Sequence, residues 1–559
     1  MRDIDRLTTE RYGVPSLTLM ENAASATVRE VIRFCGGSVS DKRVIVFCGK
    51  GNNGGDGAAT ARLLATAGAL VDVVLIGRVG ETRGDACENF SRLRPGKGEK
   101  ALPESKTAGH LTGTINLFEC ESDKGWQQLL AGLLEINHDV VIDALFGTGL
   151  TRPAEGLHRE VIRHVNQLRE RRDHNPDQFS AIISIDLPSG VNADSEQLIG
   201  ETVQADITIT MTAPKRANVL PPASDYGGQL SIADIGSPPE LTAGTRSQLF
   251  VTEASDARRW LIQTRYTPSS YKNTHGHALV IAGSRGFTGA AALCANAAMK
   301  AGAGLVTVAT PVSAQPIVAA QVIAEVMTTA LPETDRGAVR DDALGYVLKF
   351  GNKVHVIAIG PGLSAEDDRT RSFVLGLVEK RTTPVVIDAD GLNCLAPWPA
   401  SLHGSREQPL ILTPHPGEML RLLGTEDKAR LADWVKCARD FAAAHEVILV
   451  LKGSRTLVAA PDGRVTVNPT GNAGLGTGGS GDTLTGIIAG FLAQARGTLK
   501  DEMDFFETVA AAVYVSGLAG DLAAKELGMR AMLASDIREH LSDAFRLLDR
   551  FGEAPALMT

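Results

Sequence analysis

Two glycine-rich segments in different halves of the chain constrain its fold more than any other feature. Residues 49–57 read GKGNNGGDG, and residues 476–482 read GTGGSGD. Each segment follows a strand-like run and precedes a helical run rich in Ala, Leu and Ile. Glycines leave backbone N–H groups free to surround an anion, and the N-terminus of the following helix adds partial positive charge. The chain is therefore predicted to hold two sites for nucleotide-like ligands, one in each half.

Length and composition limit the class of protein. A chain of 559 residues is too long for one core, so two or three domains are expected. The net charge of −9 argues against a general nucleic-acid-binding surface. Seven scattered cysteines without a CxxC pair argue against a disulfide framework or a structural zinc site. The chain opens without a signal-peptide pattern, and no apolar run reaches the roughly 18–20 residues of a membrane span. We expect a cytoplasmic protein that binds neither nucleic acid nor a membrane.

Strand and helix patterns alternate through both halves. An opening helix is predicted at 13–34, and the strand, glycine loop and helix (57–68) that follow imply a parallel sheet. A hairpin is predicted at 458–465, about a Pro-Asp-Gly turn. The other predicted strands are 43–48, 71–76, 140–143, 181–186 and 207–210 in the first half, and 277–282, 305–309, 354–359, 384–387, 410–412 and 447–451 in the second.

These patterns predict an α/β protein of two domains, the first a Rossmann-like three-layer domain. We predict the domains at 1–237 and 256–559, joined by a linker at 238–255 that contains a Ser-Pro-Pro stretch. Residues 91–125 and 170–179 are polar and lack clear periodicity, so we predict that they are surface insertions.

Three elements at strand ends of the first half should converge, because carboxyl ends of neighbouring parallel strands open onto one crevice. They are residues 52–57, 143–150 and 186–190. They offer Asn amides, Asp carboxylates and a Ser hydroxyl but no His or Cys, a set that favours a hard cation. The second glycine loop, at 147–149, offers backbone donors to a phosphate. Ordinary βα turns with the same residue types are the alternative.

The first half resembles the YjeF amino-terminal domain, a family of NAD(P)H-hydrate epimerases with some relatives that only bind partners. The resemblance covers about residues 1–235 and rests on LMENA (19–23), GKGNNGGDG, VIDALFGTGL (141–150) and IDLPSGV (185–191). It implies a catalytic Asp186 and a potassium ion held by Asn53, Asp143 and Ser189. It also implies substrate binding by Asn52, Asn53, Gly54, Gly55, Asp56, Gly147, Thr148, Gly149, Leu150, Thr151, Arg152, Pro153 and Asp186.

In the second half, Asp482 falls in the first turn of the helix after the glycine loop. A carboxylate there can act as a base toward a bound hydroxyl or help to order a metal–phosphate group. The loop is not a Walker A loop, since no Lys-Ser/Thr follows its last glycine. A simple helix start, capped by Ser480 with Asp482 complementing the helix dipole, is the alternative. Supporting strand-end segments are KGSRT (452–456), TPHPGE (413–418) and GPGL (360–363).

Together with IAGSRGFTGAAAL (281–293) and KAGAGLVTVATP (300–311), these motifs resemble the ribokinase-like ADP- or ATP-dependent NAD(P)H-hydrate dehydratase domain over about 256–545. The resemblance implies a catalytic Asp482 and Mg²⁺ bound with ADP or ATP. Its implied hydrate contacts are Ala290, Gly362, His415 and Asp482, and its implied nucleotide contacts are Lys452, Gly453, Ser454, Arg455, Thr456 and Gly481. The family usually has a lysine at the position of His275. If that lysine contacts a phosphate in the family, it is in doubt whether this chain makes the same contact.

The two resemblances together imply one repair enzyme for hydrated nicotinamide nucleotides. It would epimerise the R and S forms of NADHX and NADPHX and dehydrate the S form with ADP or ATP. We also expect a homo-oligomer. Two alternatives remain: a ribokinase-like kinase for a vitamin precursor with a ligand-sensing first domain, and an amino-terminal half that is a non-catalytic binding module.

Overall fold

The computed structural model describes residues 1–93, 113–135, 137–174, 181–245 and 247–550. It divides the chain into two compact units, Met1–Arg246 and Ser247–Thr559. Each unit is built around its own largely parallel sheet, as the alternation of strand and helix patterns predicted.

The sheet of the first unit contains only parallel pairs, in the order β3-β2-β1-β4-β5-β6-β7. Successive residues of the central strand pack into different cores: Val44 and Val46 into one, Ile45 and Phe47 into the other. This alternation shows that both faces are covered, as a parallel sheet requires. The strands are β1 (Arg43–Cys48), β2 (Leu70–Ile76), β3 (Thr114–Cys120), β4 (Val140–Ala144), β5 (Ala181–Ile185), β6 (Ile207–Met211) and β7 (Gln229–Ala233).

Helices on both sides of this sheet complete a three-layer unit. They are α1 (Arg2–Tyr12), α2 (Ser16–Phe34), α3 (Asn52–Thr66), α4 (Gly84–Arg92), α5 (Asp123–Leu130), α6 (Gly156–His174), α7 (Arg216–Val219) and α8 (Pro239–Ala243).

The sheet of the second unit has the order β11-β10-β9-β12-β13-β14-β15-β16-β17-β8. Its pairs are parallel except β15/β16 and β16/β17, which form the antiparallel hairpin predicted about the Pro-Asp-Gly turn. The strands are β8 (Leu249–Val251), β9 (His277–Ile281), β10 (Leu305–Pro311), β11 (Met327–Leu331), β12 (Val356–Ile359), β13 (Val385–Ile387), β14 (Leu410–Leu412), β15 (Ile448–Leu451), β16 (Leu457–Ala459) and β17 (Val465–Val467).

Helices flank this sheet. They are α9 (Ala254–Gln263), α10 (Thr288–Lys300), α11 (Gln315–Gln321), α12 (Leu344–Gly351), α13 (Asp368–Glu379), α14 (Asp390–Cys394), α15 (Pro416–Leu422), α16 (Trp434–His445), α17 (Ser480–Thr498), α18 (Phe505–Leu527), α19 (Ala534–Glu539) and α20 (Leu541–Arg550). In the described ranges, α18 alone is long and apolar enough to cross a membrane. Because 72 % of its most apolar window is buried, it has the burial of a core helix.

Several sequence-based predictions of organisation were wrong. The predicted linker at 238–255 contains β8, which pairs with β17, because three apolar residues there extend the second sheet. The predicted insertion at 91–125 contains β3, an edge strand paired with β2, while residues 94–112 lie outside the described residues. The predicted insertion at 170–179 begins inside α6, and residues 175–180 lie outside the described residues. The opening helix begins at Ser16 and is preceded by α1.

Candidate active sites

The first glycine segment begins a helix instead of forming an open loop. α3 starts at Asn52, five residues earlier than predicted, so its glycines lie within the first turns. A Cβ atom on Gly54 would lie 1.8 Å from the Gly49 carbonyl oxygen, and one on Gly57 would lie 2.6 Å from Ala144 Cβ. These glycines therefore allow α3 to pack closely against β1 and β4. Gly54 and Gly55 are buried in this packing, so the prediction that they bind the substrate gains no support from their position.

A cavity of about 800 Å³ opens where the carboxyl ends of these strands meet. The sequence-predicted residues in its wall are Asn52, Asn53, Asp56, Gly147, Thr148, Gly149, Leu150, Thr151, Arg152, Pro153 and Asp186. The three predicted strand-end elements thus converge on one space. Side chains that the sequence did not single out also line it, among them Arg2, Asp5, His158 and Lys215.

Asp186 and Lys215 form a buried ion pair in this wall. Lys215 Nζ lies 2.5 Å from Asp186 Oδ1 and also donates to Thr210 Oγ1 at 2.8 Å and to the Met211 carbonyl at 3.0 Å. Asp186 itself has a φ of +68°, a backbone conformation that is unusual for a residue other than glycine. Asn218 donates to the Asp186 carbonyl at 3.3 Å, so the strained residue is held from both sides.

Asp56 contributes a second carboxyl group to the cavity and differs from Asp186 in its partners. It lines the cavity, and the structure shows no hydrogen bond or ion pair to its side chain in the described ranges. Burial, followed by the negative charge of Asp186, raises its pKa well above the usual range. A carboxyl group whose pKa is raised keeps its proton to a higher pH, and in its protonated form it can donate a hydrogen bond to a ligand.

Asp143 and Ser189 lie beneath the cavity and contact each other. Asp143 accepts from Ser189 Oγ at 2.6 Å, Ser189 N at 2.8 Å and Ser184 Oγ at 2.9 Å, and Leu145 N lies 3.3 Å away. Burial raises the pKa of Asp143, while the hydrogen bonds from Ser189 act in the opposite direction. Asn53 Nδ2 donates to the Phe146 carbonyl at 2.9 Å, but the buried Asn53 Oδ1 has no hydrogen-bond partner in the described residues. Phe146 N donates to Ser189 Oγ at 3.0 Å, so Asn53 and Ser189 both bind the backbone of Phe146. An orphaned amide oxygen, together with a carboxylate and a hydroxyl, is a donor set that suits a hard cation.

In the second unit, the glycine loop leads directly into α17. Gly479, with a φ of +89°, is the N-cap, and Ser480 Oγ donates to the Leu475 carbonyl at 2.7 Å instead of capping the helix. The alternative that Ser480 merely caps the helix is therefore wrong. A Cβ atom on Gly476 or Gly478 would meet nothing within 4 Å, so packing does not explain these glycines. Open backbone in front of a helix N-terminus can receive an anion.

Asp482 lies among charged side chains that come from neighbouring strand ends. Lys452 Nζ, after β15, lies 2.8 Å from Asp388 Oδ1 and 3.9 Å from Glu418 Oε2. Thr485 Oγ1 donates to Asp388 Oδ2 at 2.7 Å, which joins α17 to the end of β13. Burial, and after it the charge of Asp388, raises the pKa of Asp482 to about 6.

Lys452 remains charged in this environment. Burial alone would lower its pKa, but the carboxylates of Asp388 and Glu418 outweigh that effect and raise it. A Cβ atom on Gly481 would lie 3.3 Å from Lys452 Nζ, so the ammonium group sits directly beside the first turn of α17. Cation and helix N-terminus therefore act on the same small region.

Three other predicted dehydratase residues come from different elements: Ala290 lies in α10, Gly362 follows β12, and His415 follows β14. A Cβ atom on Gly362 would lie 3.0 Å from Ala290 Cβ, which brings these two predicted hydrate contacts together. The His415 ring is half exposed, and its Nδ1 accepts from Gly417 N at 3.0 Å. Lys452 N donates to the Pro414 carbonyl at 2.9 Å, so the TPHPGE and KGSRT segments are joined.

The structure places His275 away from this site. Its ring is buried, stacks on Tyr266 at a centroid distance of 3.8 Å, and lies 3.5 Å from Gln494 Nε2. Gln494 is twelve residues after Asp482 on the same helix, which corresponds to about 18 Å along its axis. His275 precedes β9, at the end of the sheet opposite the ligand site. The position of His275 therefore gives no support to a phosphate contact from this residue.

Two family models match the chain. The family described as YjeF-related protein N-terminus matches residues 16–217, and the family described as NAD(P)H-hydrate dehydratase matches residues 278–543. A bifunctional NAD(P)H-hydrate repair enzyme from Moorella thermoacetica is 40% identical over 549 residues, which are 98% of this chain and 96% of that protein. The chain belongs to the family of bifunctional NAD(P)H-hydrate repair enzymes.

Other relatives of this chain carry the same description. The bifunctional NAD(P)H-hydrate repair enzyme from Thermofilum pendens is 35% identical over 546 residues, covering 98% of this chain and 95% of that one. Among solved structures, the ADP/ATP-dependent NAD(P)H-hydrate dehydratase from Bacillus subtilis, co-crystallised with ATP and Mg²⁺, is 30% identical with a TM-score of 0.45. It covers 54% of this chain and 98% of its own. The two family models and the full-length relatives show a bifunctional enzyme that joins an NAD(P)H-hydrate epimerase domain to an NAD(P)H-hydrate dehydratase domain.

Proposed function

We propose that the two units act in sequence on one pool of hydrated nicotinamide nucleotide. The cavity of the first unit interconverts the R and S epimers of NADHX and NADPHX. The site before α17 dehydrates the S epimer at the expense of ADP or ATP. A single stereospecific dehydratase can then drain the whole pool, because the epimerase continuously supplies its substrate.

The position of Asp482 carries the dehydratase proposal. Its carboxyl lies in the first turn of α17 beside an open glycine loop, with a pKa of about 6, so it is largely ionised at neutral pH and can accept the hydroxyl proton of the hydrate. Phosphorylation then turns the hydroxyl into a good leaving group, and elimination of phosphate restores the dihydropyridine ring. Lys452 offsets negative charge next to this helix N-terminus.

We assign the remaining dehydratase residues by their place around Asp482. Ala290, Gly362 and His415 are proposed to contact the hydrate, and the segment from Lys452 to Thr456, with Gly481, to contact the nucleotide. The approach of Gly362 to Ala290 and the hydrogen bond between the KGSRT and TPHPGE segments support this grouping.

Mg²⁺ is proposed to enter with the nucleotide. Among the described residues no group of three His, Cys, Asp or Glu side chains forms a ready metal site. Mg²⁺ is commonly held by one or two carboxylates together with substrate phosphates, so a preformed cage is not required. When bound, the ion would neutralise charge on the phosphates.

For the epimerase we propose Asp186 as the catalytic carboxylate and Lys215 as the residue that positions it. The ion pair fixes one oxygen of Asp186, and Asp186 Oδ2 faces the second glycine loop, where a Cβ atom on Gly147 would lie 3.1 Å away. Asn52, Asn53, Asp56 and the residues from Gly147 to Pro153 line the cavity and are proposed to bind the substrate.

A potassium ion at Asn53, Asp143 and Ser189 is also a proposal. The buried, unpartnered Asn53 Oδ1 supports it, and so do the buried carboxylate of Asp143 and its hydroxyl neighbour Ser189. When bound, the ion would add positive charge near the glycine loop at 147–149. Asn53 and Ser189 both hydrogen-bond to the backbone of Phe146, the residue that precedes this loop.

Cytoplasmic location and self-association complete the proposal. All seven cysteines are free, which suits a reducing compartment. Exposed apolar side chains near the edge strand β11, including Met327, Val312 and Ile317, support a homo-oligomer. Light scattering of the purified protein would measure its mass directly.

The function is tested by incubating the protein with mixed hydrate epimers, with and without ADP or ATP. We expect the absorbance of reduced nicotinamide to return fully, and only when nucleotide is present. Recovery of the S epimer alone would refute the epimerase, and recovery without nucleotide would refute the proposed dehydration.

A further inference from the structure

The helix α1 contributes a carboxylate to the epimerase cavity that no motif and no family match assigns. Asp5, with Met1 and Arg2, lines the cavity, although the matching residues of the YjeF-related family begin only at residue 16. Arg2 donates to the Thr148 carbonyl at 3.1 Å, which holds α1 against the second glycine loop. Ile4 and Thr8, on the same helix, are buried. The position of Asp5 is therefore determined by packing.

The side chain of Asp5 is incompletely satisfied by the protein. Its Oδ1 is buried and has no hydrogen-bond partner in the described part of the chain. A buried acceptor without a donor is destabilising, so native proteins normally pair such atoms with protein, water or ligand. An orphaned oxygen in the wall of a ligand cavity is thus available to a ligand donor.

The charges around Asp5 define the donor that suits it. Burial raises the pKa of Asp5, the N-terminal ammonium group and then Lys215 act to lower it, and Asp186 acts to raise it. Lys215 Nζ already has three acceptors, namely Asp186, Thr210 and Met211, so it does not need Asp5. Asp5 therefore stands next to the proposed catalytic pair with a free acceptor. A neutral O–H or N–H group of the substrate can donate to that acceptor. It adds no further charge to a cavity whose wall already contains Asp186 and Lys215.

We propose that Asp5 accepts a hydrogen bond from a neutral donor of the hydrated nicotinamide ring and so binds the ring beside Asp186. This inference rests on the proposed epimerase function and adds a residue from α1 to it. It makes α1 a part of the binding site. Asp3, on the same helix but with a side chain 86% exposed, has no such role and is the matched control.

The test compares Asp5→Ala and Asp5→Asn with Asp3→Ala and Asp3→Asn in the full chain. Epimerisation of the R hydrate is followed without nucleotide, thermal unfolding is measured for each variant, and dehydration of the S hydrate with ATP reports on the second unit. We expect Asp5→Ala to raise the KM of epimerisation by about 10-fold to 100-fold, and Asp5→Asn, whose amide oxygen is still an acceptor, to keep a KM closer to that of the wild type. The melting temperature of Asp5→Ala should be unchanged or higher, since an orphaned buried acceptor is removed. The Asp3 variants should match the wild type.

A structural role predicts a different pattern of results. If Asp5 only stabilised α1, both Asp5 variants would lower the melting temperature, and this outcome would overturn the inference. An Asp5→Ala variant with a wild-type KM would overturn it as well. A wild-type protein that fails to epimerise would instead refute the proposed function, so the two failures can be told apart. Asp5→Leu, which is similar in size to Asp but has no acceptor, replaces Asp5→Ala in the test if that variant does not fold.

Discussion

Lys215 Nζ lies 2.5 Å from Asp186 Oδ1, although the two residues belong to different strand ends and are 29 positions apart in the chain. The pair is buried, and removal of one partner from a buried pair is usually destabilising by about 3–5 kcal/mol, because the other charge is left uncompensated. We expect Lys215→Met to lower the free energy of unfolding of the first unit by about this amount. We also expect it to abolish most epimerisation. Calorimetry of the whole chain and an epimerase assay would measure the two effects.

The double variant Lys215→Met with Asp186→Asn separates stability from catalysis. It removes both charges, so much of the lost stability should return, while epimerisation should stay low because the catalytic carboxylate is gone. Dehydration of the S hydrate should be normal in every one of these variants. A double variant with restored epimerisation would show that Asp186 is not the catalytic group.

Asp482→Asn should abolish dehydration but leave epimerisation intact. Loss of a general base typically slows a reaction by about 10²–10⁴-fold. Turnover of the S hydrate with ATP measures this directly, and Asp462→Asn, in the exposed turn of the β16–β17 hairpin, is a suitable control. Near-normal dehydration by Asp482→Asn would remove this residue from the mechanism.

The same substitution should stabilise the second unit at neutral pH. Because the folded-state pKa of Asp482 is about 6 and its ordinary value is 3.8, folding binds a proton more tightly, and the ionised carboxylate destabilises the native state. Removing it should raise the free energy of unfolding by up to about 3 kcal/mol above pH 6. The gain should shrink as the pH falls from 6 toward 3.8 and vanish below that. A gain that is independent of pH would contradict this account.

The activity of the wild-type dehydratase should decline as the pH falls through about 6, since protonated Asp482 cannot accept a proton. A pH profile of kcat for the S hydrate would measure the acid limb. A profile that is flat down to pH 5 would contradict the assignment of Asp482 as the base.

Asn53→Ala should weaken the response of epimerisation to potassium, because Oδ1 is the buried oxygen of this group that lacks a partner. Asn53→Asp keeps an oxygen at this place and should retain more of the response. Titration of epimerase activity with potassium, against a sodium control, would measure both. An unchanged potassium dependence in Asn53→Ala would refute the cation site.

The boundary between the units can be tested by two cuts. A chain cut after Thr245 leaves β8 attached to the second unit and should give two folded pieces with separate activities. A cut after Val251 removes β8 from the edge of the second sheet and should lower the stability of the carboxyl-terminal piece. Equal stability of that piece after either cut would show that β8 is dispensable.

Much of the fold was predictable because parallel strands have strong local signals. Buried runs such as 43–48 and 447–451 are apolar throughout, and the Pro-Asp-Gly turn identified the hairpin that joins β16 to β17. β3 was missed because it is a half-exposed edge strand that directly follows a long polar stretch. β8 was missed because it has only three residues, which follow a Pro-rich stretch and are too few to show a strand-like periodicity.

The candidate sites were predictable only where residues follow a strand or a glycine motif. Asp388 ends a strand in the same way as Asp143 and Asp186, so the same rule could have found it. Lys215 and Asp5 carry no local signal, because their role depends on a neighbour that only the folded sheet brings close. The packing role of Gly54 and Gly57 was not predicted for a related reason: their close contacts with Gly49 and Ala144 are tertiary.

The central claim is that two separate sites in one chain serve one substrate pool, and complementation between single-site variants tests it most directly. Pure R hydrate is supplied with ATP to Asp482→Asn, to Asp186→Asn, and to an equal mixture of the two. We expect no reduced nicotinamide from the first, only the rate of spontaneous epimerisation from the second, and a rate near that of the wild type from the mixture. A mixture no faster than Asp186→Asn alone, or an Asp186→Asn protein as fast as the wild type on the R hydrate, would contradict the account.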